Sequence, residues 1–471
     1  MNIIFITSEI DPIHKAGGLG DYSRSLPLAL KQQQHDIRVI LPAHSQISLD
    51  SFHFQTVANG QVLYDRQPYA YTVWQTNLPN TNLPVFVISE PDLITQPSNQ
   101  HETDKYAVFS LAVLDWLQQQ SPHWQPDIAH LNDWQTSLIP ILLKYRFPQL
   151  DIGTLLTIHN LNYQGKTGTQ LINKLELQSI DIPTIAWDIA DGDLDVLMQG
   201  IIHTDYINTV IPTYSKEILT HEYGAGLESI LAARIGRIRG ILNGLDTDKW
   251  NPTTDQFIEQ QYDANTALKI RPQNKAELLK QHFPNADPQS SLLYAYVGRL
   301  DPQQKGLDLI TQVIQQDTFI ENKYLLILGV GDPQAEQQFQ YLAQQYTNVQ
   351  AAIRYDDQLA HQIFASSDFI IIPSRYEPCG LVQMMAMRYG SLPIVRRTGG
   401  LADTVEHLQT GFVFDTYNWH QLQTSINHAA EIYHHQPQIQ TMVNQAMAQN
   451  NNWDARLPDY INLYNRILNL A

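Results

Sequence analysis

Acids, cations and glycines recur in this sequence where an apolar run hands over to a helical one. The longest such stretch is PSRYEPCGLVQMMAMRYGSLPIVRRTGGLADTV, residues 373–405. It follows Asp368-Phe369-Ile370-Ile371-Ile372, a β-branched run suited to a strand buried in a parallel sheet. Gly380 and Leu381 open a helical run through Met387, so residues 377–380 fall on a strand-to-helix loop. There the free backbone N–H groups and the helix dipole favour an anion. Glu377 in the same loop is an acceptor for neutral hydroxyls, and the combination suits a ligand that is part phosphate and part sugar. A second glycine turn, residues 398–403, follows the apolar run 392–395 and offers further N–H donors.

Four more loops have the same character. Residues 2–7 read as a strand and a helix begins near Asp21, with His14-Lys15-Ala16-Gly17-Gly18-Leu19-Gly20-Asp21 in between. Glycines let backbone amides approach a ligand and a lysine neutralises phosphate oxygens. The spacing is neither the dinucleotide fingerprint nor a Walker loop. After the run 128–131 comes Asn132-Asp133-Trp134, an aromatic face beside a carboxylate, which suits a sugar; a core Trp and an N-cap Asp are the competing reading. The run 154–158 ends at His159, at the carboxyl end of a strand where α/β folds bind ligands. Arg299 and Lys305 follow the run 292–297, two cations able to hold a diphosphate leaving group without a metal.

These loops need a scaffold of alternating strands and helices. Apolar runs at 37–41, 85–88 and 128–131 alternate with helical runs such as 107–119, the rhythm of a doubly wound sheet. The 471 residues allow two or three domains. A net charge of -18, from 29 basic and 47 acidic residues, argues against nucleic acid or an anionic membrane as partner. An anionic substrate therefore needs a local basic cluster. One cysteine fits a reducing cytosol, and the start MNIIFITSEI lacks the basic region of a signal peptide, so a soluble cytoplasmic protein is expected. No cofactor or metal site is read, and nothing sets an oligomeric state.

Taken together the motifs resemble those of bacterial glycogen synthases and plant starch synthases, retaining glycosyltransferases of GT-B type with two facing Rossmann-like domains and the active site in the cleft between them. The stretch 373–405 is similar to the family's C-terminal signature and residues 15–21 to its first, K-x-G-G-L-x-D. The resemblance implies that Glu377 binds glucosyl hydroxyls, that the backbone of Cys379, Gly380 and Leu381 approaches glucose and diphosphate, and that Lys15, with Gly17, Gly18 and Asp21, meets the donor. It implies that Arg299 and Lys305 hold the diphosphate, that Tyr355 stacks on adenine, and that His159, in T-x-H-N-x-x-Y-Q-G, lies close to the anomeric centre. Asp133 and Trp134 stand near the acceptor in H-x-H-D-W-x-T, with His130 kept and Asn132 in place of the second histidine. Asn243 belongs to the L-N-G-x-D hinge. The implied reaction passes glucose from ADP-glucose to the end of glycogen or another α-1,4-glucan. The implied domains are 1–242, 243–455 and a returning C-terminal helix, 456–471. Residues 301–304 carry one residue more than the family pattern before Lys305, residues 89–102 lack its N-P-x-Y-F stretch, and Leu111 and Gln199 replace an arginine and a lysine. A UDP-glucose donor, a small acceptor or a non-catalytic glucan-binding protein remain as alternatives; a phosphorylase is disfavoured by length and the missing pyridoxal-phosphate lysine context.

Overall fold

A computed structural model describes residues 1–96, 102–120, 123–177 and 182–469. The chain folds as two units, Met1–Gly244 with Trp453–Ala471, and Leu245–Asn452. Residues 243–244 and 453–455 thus belong to the first unit and not, as the motifs suggested, to the second.

The first unit has strands β1 (Asn2–Ile6), β2 (Asp36–Pro42), β3 (Gln55–Tyr64), β4 (Gln67–Asn77), β5 (Pro84–Ser89), β6 (Ile128–Asn132), β7 (Gly153–Ile158), β8 (Lys166–Gly168), β9 (Asp193–Asp195), β10 (Tyr206–Thr209) and β11 (Ile238–Gly240). Nine form one sheet in the order β11-β10-β7-β6-β1-β2-β5-β4-β3. β1 is the apolar run NIIFI, with Ile3 to Ile6 fully buried, as a central strand covered on both faces requires. It pairs in parallel with both β2 and β6. The chain runs outward from β1 to β2, then restarts on the other side at β6. This reversal of strand order opens a crevice at the carboxyl ends of β1 and β6, where the Lys15 and Asp133 loops emerge. β3 and β4 extend the edge as an antiparallel hairpin whose two turn residues, Asp65 and Arg66, have φ of 51° and 60°. The helix Leu457–Leu468 lays Tyr460, Tyr464 and Ile467 into this unit's core.

The second unit has β12 (Leu292–Val297), β13 (Lys323–Leu328), β14 (Val349–Ala352), β15 (Phe369–Ile372), β16 (Leu392–Arg396) and β17 (Phe412–Phe414), all parallel, in the order β14-β13-β12-β15-β16-β17. Here the order reverses between β12 and β15. The loops after those two strands carry Arg299 and Lys305, and Glu377, so topology alone brings them to one crevice.

Helix starts differ slightly from expectation. The first helix begins at Gly18, three residues before Asp21, and the one after β15 begins at Val382, with Gly380 in the left-handed region at φ 71°. Among the described residues no helix is long and apolar enough to cross a membrane.

Candidate functional site

In the second unit Lys305 Nζ lies 2.9 and 2.7 Å from the two carboxylate oxygens of Glu377. Ser374 Oγ donates to the same carboxylate at 2.9 Å. Glu377 is 5% exposed, so this is a nearly dry ion pair at the strand-to-helix loop. Two glycines make the arrangement possible. Gly306 has φ 67° and sits so close to the next strand's exit that a Cβ would lie 2.2 Å from the Pro373 carbonyl oxygen. At Gly400 a Cβ would stand 1.5 Å from the Cys379 carbonyl oxygen. The Gly400 N–H donates to the Glu377 carbonyl at 2.9 Å, so the second glycine turn spends this donor on bracing the first loop.

The extra residue before Lys305 is absorbed by a turn. Asp301 Oδ1 accepts from the N–H groups of Gln303 and Gln304, the Lys305 N–H donates to the Asp301 carbonyl, and the Arg375 N–H donates to the Gln304 carbonyl. Lys305 thereby faces Glu377. Arg299 Nη2 donates to Gln304 Oε1 at 3.2 Å and stands 3.6 Å from Asp301, its side chain half exposed. Tyr355 is 66% exposed just before the helix Asp357–Ser366. Cys379 is buried, and Leu381 precedes the helix Val382–Arg388.

The first unit builds a second cluster. Glu9 Oε2 accepts from the N–H groups of Ala16 and Gly17 at 2.8 and 2.9 Å. The glycine loop's donors therefore meet an internal carboxylate. Lys15 Nζ pairs with Asp21 at 2.8 Å, both side chains largely buried. Gly18 opens the helix. Asp133, at φ 55°, accepts on Oδ1 from the N–H groups of His159 at 2.6 Å and Asn160 at 3.3 Å, and burial pushes its carboxyl up to about 7. It caps no helix. His159 is held to about 3 by burial, lies edge-on to Tyr22 at 4.5 Å, and its Nε2 is 3.0 Å from Asn132 Oδ1.

One expectation changes here. Trp134 is 6% exposed and packs edge-on against Tyr106 at 5.1 Å, so it is a core residue and offers no open face for a sugar. Asp133 braces the His159 loop through Oδ1. Leu111 is buried in the helix Glu102–Gln120. Gln199 Nε2 donates to Asp188, whose carboxyl burial pushes up to about 6. Asn243 is buried at the end of the first unit. Of the divergent segment 89–102, residues 97–101 lie outside the described residues.

Sequence reading missed several supports. Arg396, buried, donates to the carbonyls of Ser374 and Arg375, and Gln383 Nε2 to those of Cys379 and Gly380, so both hold the Glu377 loop from beneath. Their signal is weak, since a polar side chain on a core-facing helix or strand position is all that marks them. Glu9 stood in plain view eight residues before Gly17, but a carboxylate beside a phosphate loop reads as unfavourable.

Comparison with known proteins agrees with this geometry. Residues 2–233 match the family described as starch synthase catalytic domain, and residues 279–446 the family glycosyl transferases group 1. A glycogen synthase of Clostridium beijerinckii is 35% identical, covering 99% of each chain, and one of Kosmotoga olearia is 35% identical over 100% of this chain and 98% of its own. The catalytic domain of starch synthase IV from Arabidopsis thaliana, solved with ADP and acarbose, superposes with a TM-score of 0.92 at 31% identity over 99% of both chains. Sucrose-phosphate synthase from Thermosynechococcus elongatus shares the fold, with a TM-score of 0.67 at 18% identity. Matched from end to end by such relatives and built on two Rossmann-like sheets with basic and acidic loops at their switch points, the chain belongs to the starch and glycogen synthase family of glycosyltransferases.

Proposed function

We propose that the protein transfers glucose from ADP-glucose to the non-reducing end of an α-1,4-glucan with retention of configuration, as a cytoplasmic enzyme. The observation that carries this reading is the Lys305–Glu377 pair at the β12/β15 switch point, a cation for a diphosphate beside an acceptor for sugar hydroxyls. The glycogen synthase relatives and the ADP and acarbose bound to the Arabidopsis domain support the choice of substrates.

In this reading Glu377 accepts hydrogen bonds from glucosyl hydroxyls, and the backbone at Cys379, Gly380 and Leu381 lines the sugar and diphosphate. Arg299 and Lys305 take the charge that develops on the departing diphosphate, Lys15 adds to it from the Gly17–Gly18 loop, and Tyr355 stacks on the adenine. Loss of one such charge contact costs on the order of hundredfold in rate. The glucan 4-hydroxyl attacks C1 on the face the diphosphate leaves. The C1–O bond to the diphosphate breaks as the new C1–O4 bond forms, and the hydroxyl proton passes to a phosphate oxygen of the leaving ADP. No protein base is required. His159, neutral in its buried setting, serves as a hydrogen-bonding group and not as an acid.

Two measurements test this. ADP release from ADP-glucose that depends on added glycogen is expected, and release of UDP from UDP-glucose in preference would overturn the donor. Glu377→Ala should abolish transfer while the protein stays folded; near-normal turnover in that variant removes Glu377 from the mechanism.

A further inference from the structure

Asn132 ends β6 and is fully buried. Its side-chain amide lies between two groups of opposite demand. The Ile6 carbonyl, 2.8 Å from Nδ2, can only accept, so the NH2 end of the amide must face it. Oδ1 is thereby turned to His159 Nε2 at 3.0 Å. An amide oxygen only accepts, so Nε2 must carry the proton. We propose that Asn132 is a positioning residue that locks His159 in its Nε2–H tautomer and so presents Nδ1 as a hydrogen-bond acceptor for a sugar hydroxyl. The tautomer follows from the amide geometry; the sugar hydroxyl rests on the reaction proposed above.

The rest of the surroundings hold the ring in place. The His159 backbone N–H donates to Asp133 Oδ1, which holds the loop, and the imidazole stands edge-on to the Tyr22 ring. Among the described residues none hydrogen-bonds to Nδ1. The titratable neighbours are Tyr22 from the helix Gly18–Gln32, Asp133 beyond β6, and His130 on β6, which is tied to Tyr464 and Thr157. Asn132 itself carries no proton equilibrium. The family pattern has a histidine at this position, and a histidine there could present a donor or an acceptor to its neighbour according to pH. The asparagine fixes one answer, and with it the demand that the ligand supply an O–H at this point.

The test is nitrogen NMR of histidine-labelled full-length protein, with His159 assigned by loss of its signals in His159→Gln. The wild type should show a protonated Nε2 and an unprotonated Nδ1 at pH 7, without substrate. A protonated Nδ1, or shifts averaged between tautomers, overturns the lock. Asn132→Asp keeps the size but sets a second acceptor oxygen against the Ile6 carbonyl and draws a proton onto the imidazole, making Nδ1 a donor. Turnover number should then fall about tenfold or more at pH 7, recover as pH is raised, and leave the KM for glycogen within about twofold. An imidazolium signature with unchanged turnover overturns the positioning role. If Asn132→Asp does not fold, the wild-type spectrum still decides the tautomer. Absence of ADP release by the wild type overturns the assigned reaction and with it the sugar hydroxyl, while the nitrogen shifts decide the lock independently.

Discussion

Removing either partner of the Lys305–Glu377 pair should cost unequal amounts of stability. The Glu377 side chain is 6% exposed and that of Lys305 19%. In Lys305→Ala the carboxylate stays buried, and of its side-chain partners only Ser374 Oγ remains. Breaking a buried pair this way costs about 3–5 kcal/mol, and the retained Ser374 bond puts the value near the lower end, about 3 kcal/mol. In Glu377→Ala the ammonium sits on a four-carbon stem with an edge already in water and can turn outward, so the loss is on the order of 1 kcal/mol. The double variant removes the stranded carboxylate and should recover about 2 kcal/mol relative to Lys305→Ala. For a unit of this size each kcal/mol moves the midpoint by roughly 2–4 °C, giving drops of about 6–12 °C and about 2–4 °C for the single variants. Scanning calorimetry of the whole protein, following whichever transition moves, reads both. Equal losses, or a larger loss for Glu377→Ala, refute the burial argument, and a double variant no better than Lys305→Ala refutes the coupling.

Tyr355→Ala should raise the KM for ADP-glucose about tenfold with turnover within about twofold, since stacking on a base is worth about 1–3 kcal/mol, and Tyr355→Phe should behave as the wild type; a turnover defect in Ala without a KM change sinks the stacking role. The first unit should gain stability as pH rises to about 7. The Asp133 carboxyl, pushed up to about 7, holds a proton in the fold that the unfolded chain has lost, so its contribution is full below about pH 4, declines as pH rises, and is gone above about 7. His159 and His44, each held to about 3 by burial, act from the other side: the unfolded chain takes up protons below about pH 6.5 that the fold refuses, so stability is lost as pH falls below that value. Melting across pH 4–9 checks this: the midpoint should level off above about pH 7, and Asp133→Asn should steepen its rise between about pH 4 and 7; a midpoint still climbing from pH 7 to 9 contradicts it.

The parallel strands were legible because a strand buried on both faces has no choice but to be apolar throughout, as β1 and β15 are. The hairpin β3–β4 was not, because its residues are mostly exposed or half-buried and its turn is Asp65-Arg66, without the glycine or asparagine that usually marks such a turn. The loops bearing Lys15, His159, Lys305 and Glu377 could be placed at carboxyl ends of strands from sequence. That Lys305 meets Glu377 could not, because the crevice exists only once β12 and β15 pair, and that pairing joins residues far apart in the chain. Trp134 misled for a related reason: an aromatic next to an acid reads the same whether its face is open or packed, and only the neighbouring helix with Tyr106 decides.

What sequence could not reveal is which partner each charged group would take. Lys15 and Lys305 read as cations awaiting phosphate, yet each meets a carboxylate, Asp21 and Glu377, and the Ala16 and Gly17 N–H groups meet Glu9. In a chain of net charge -18 this is expected: cations and loop N–H groups would be costly to bury unpaired, and internal carboxylates satisfy them. In the reading proposed above, diphosphate binding is an exchange of one set of anions for another. The gain per contact is the difference between phosphate and carboxylate, smaller than either interaction alone. In that reading the exchange also favours release, because Glu377 reclaims Lys305 as the diphosphate leaves. An enzyme that must bind a highly charged donor and shed a highly charged product in every cycle gains from holding it by such replaceable pairs.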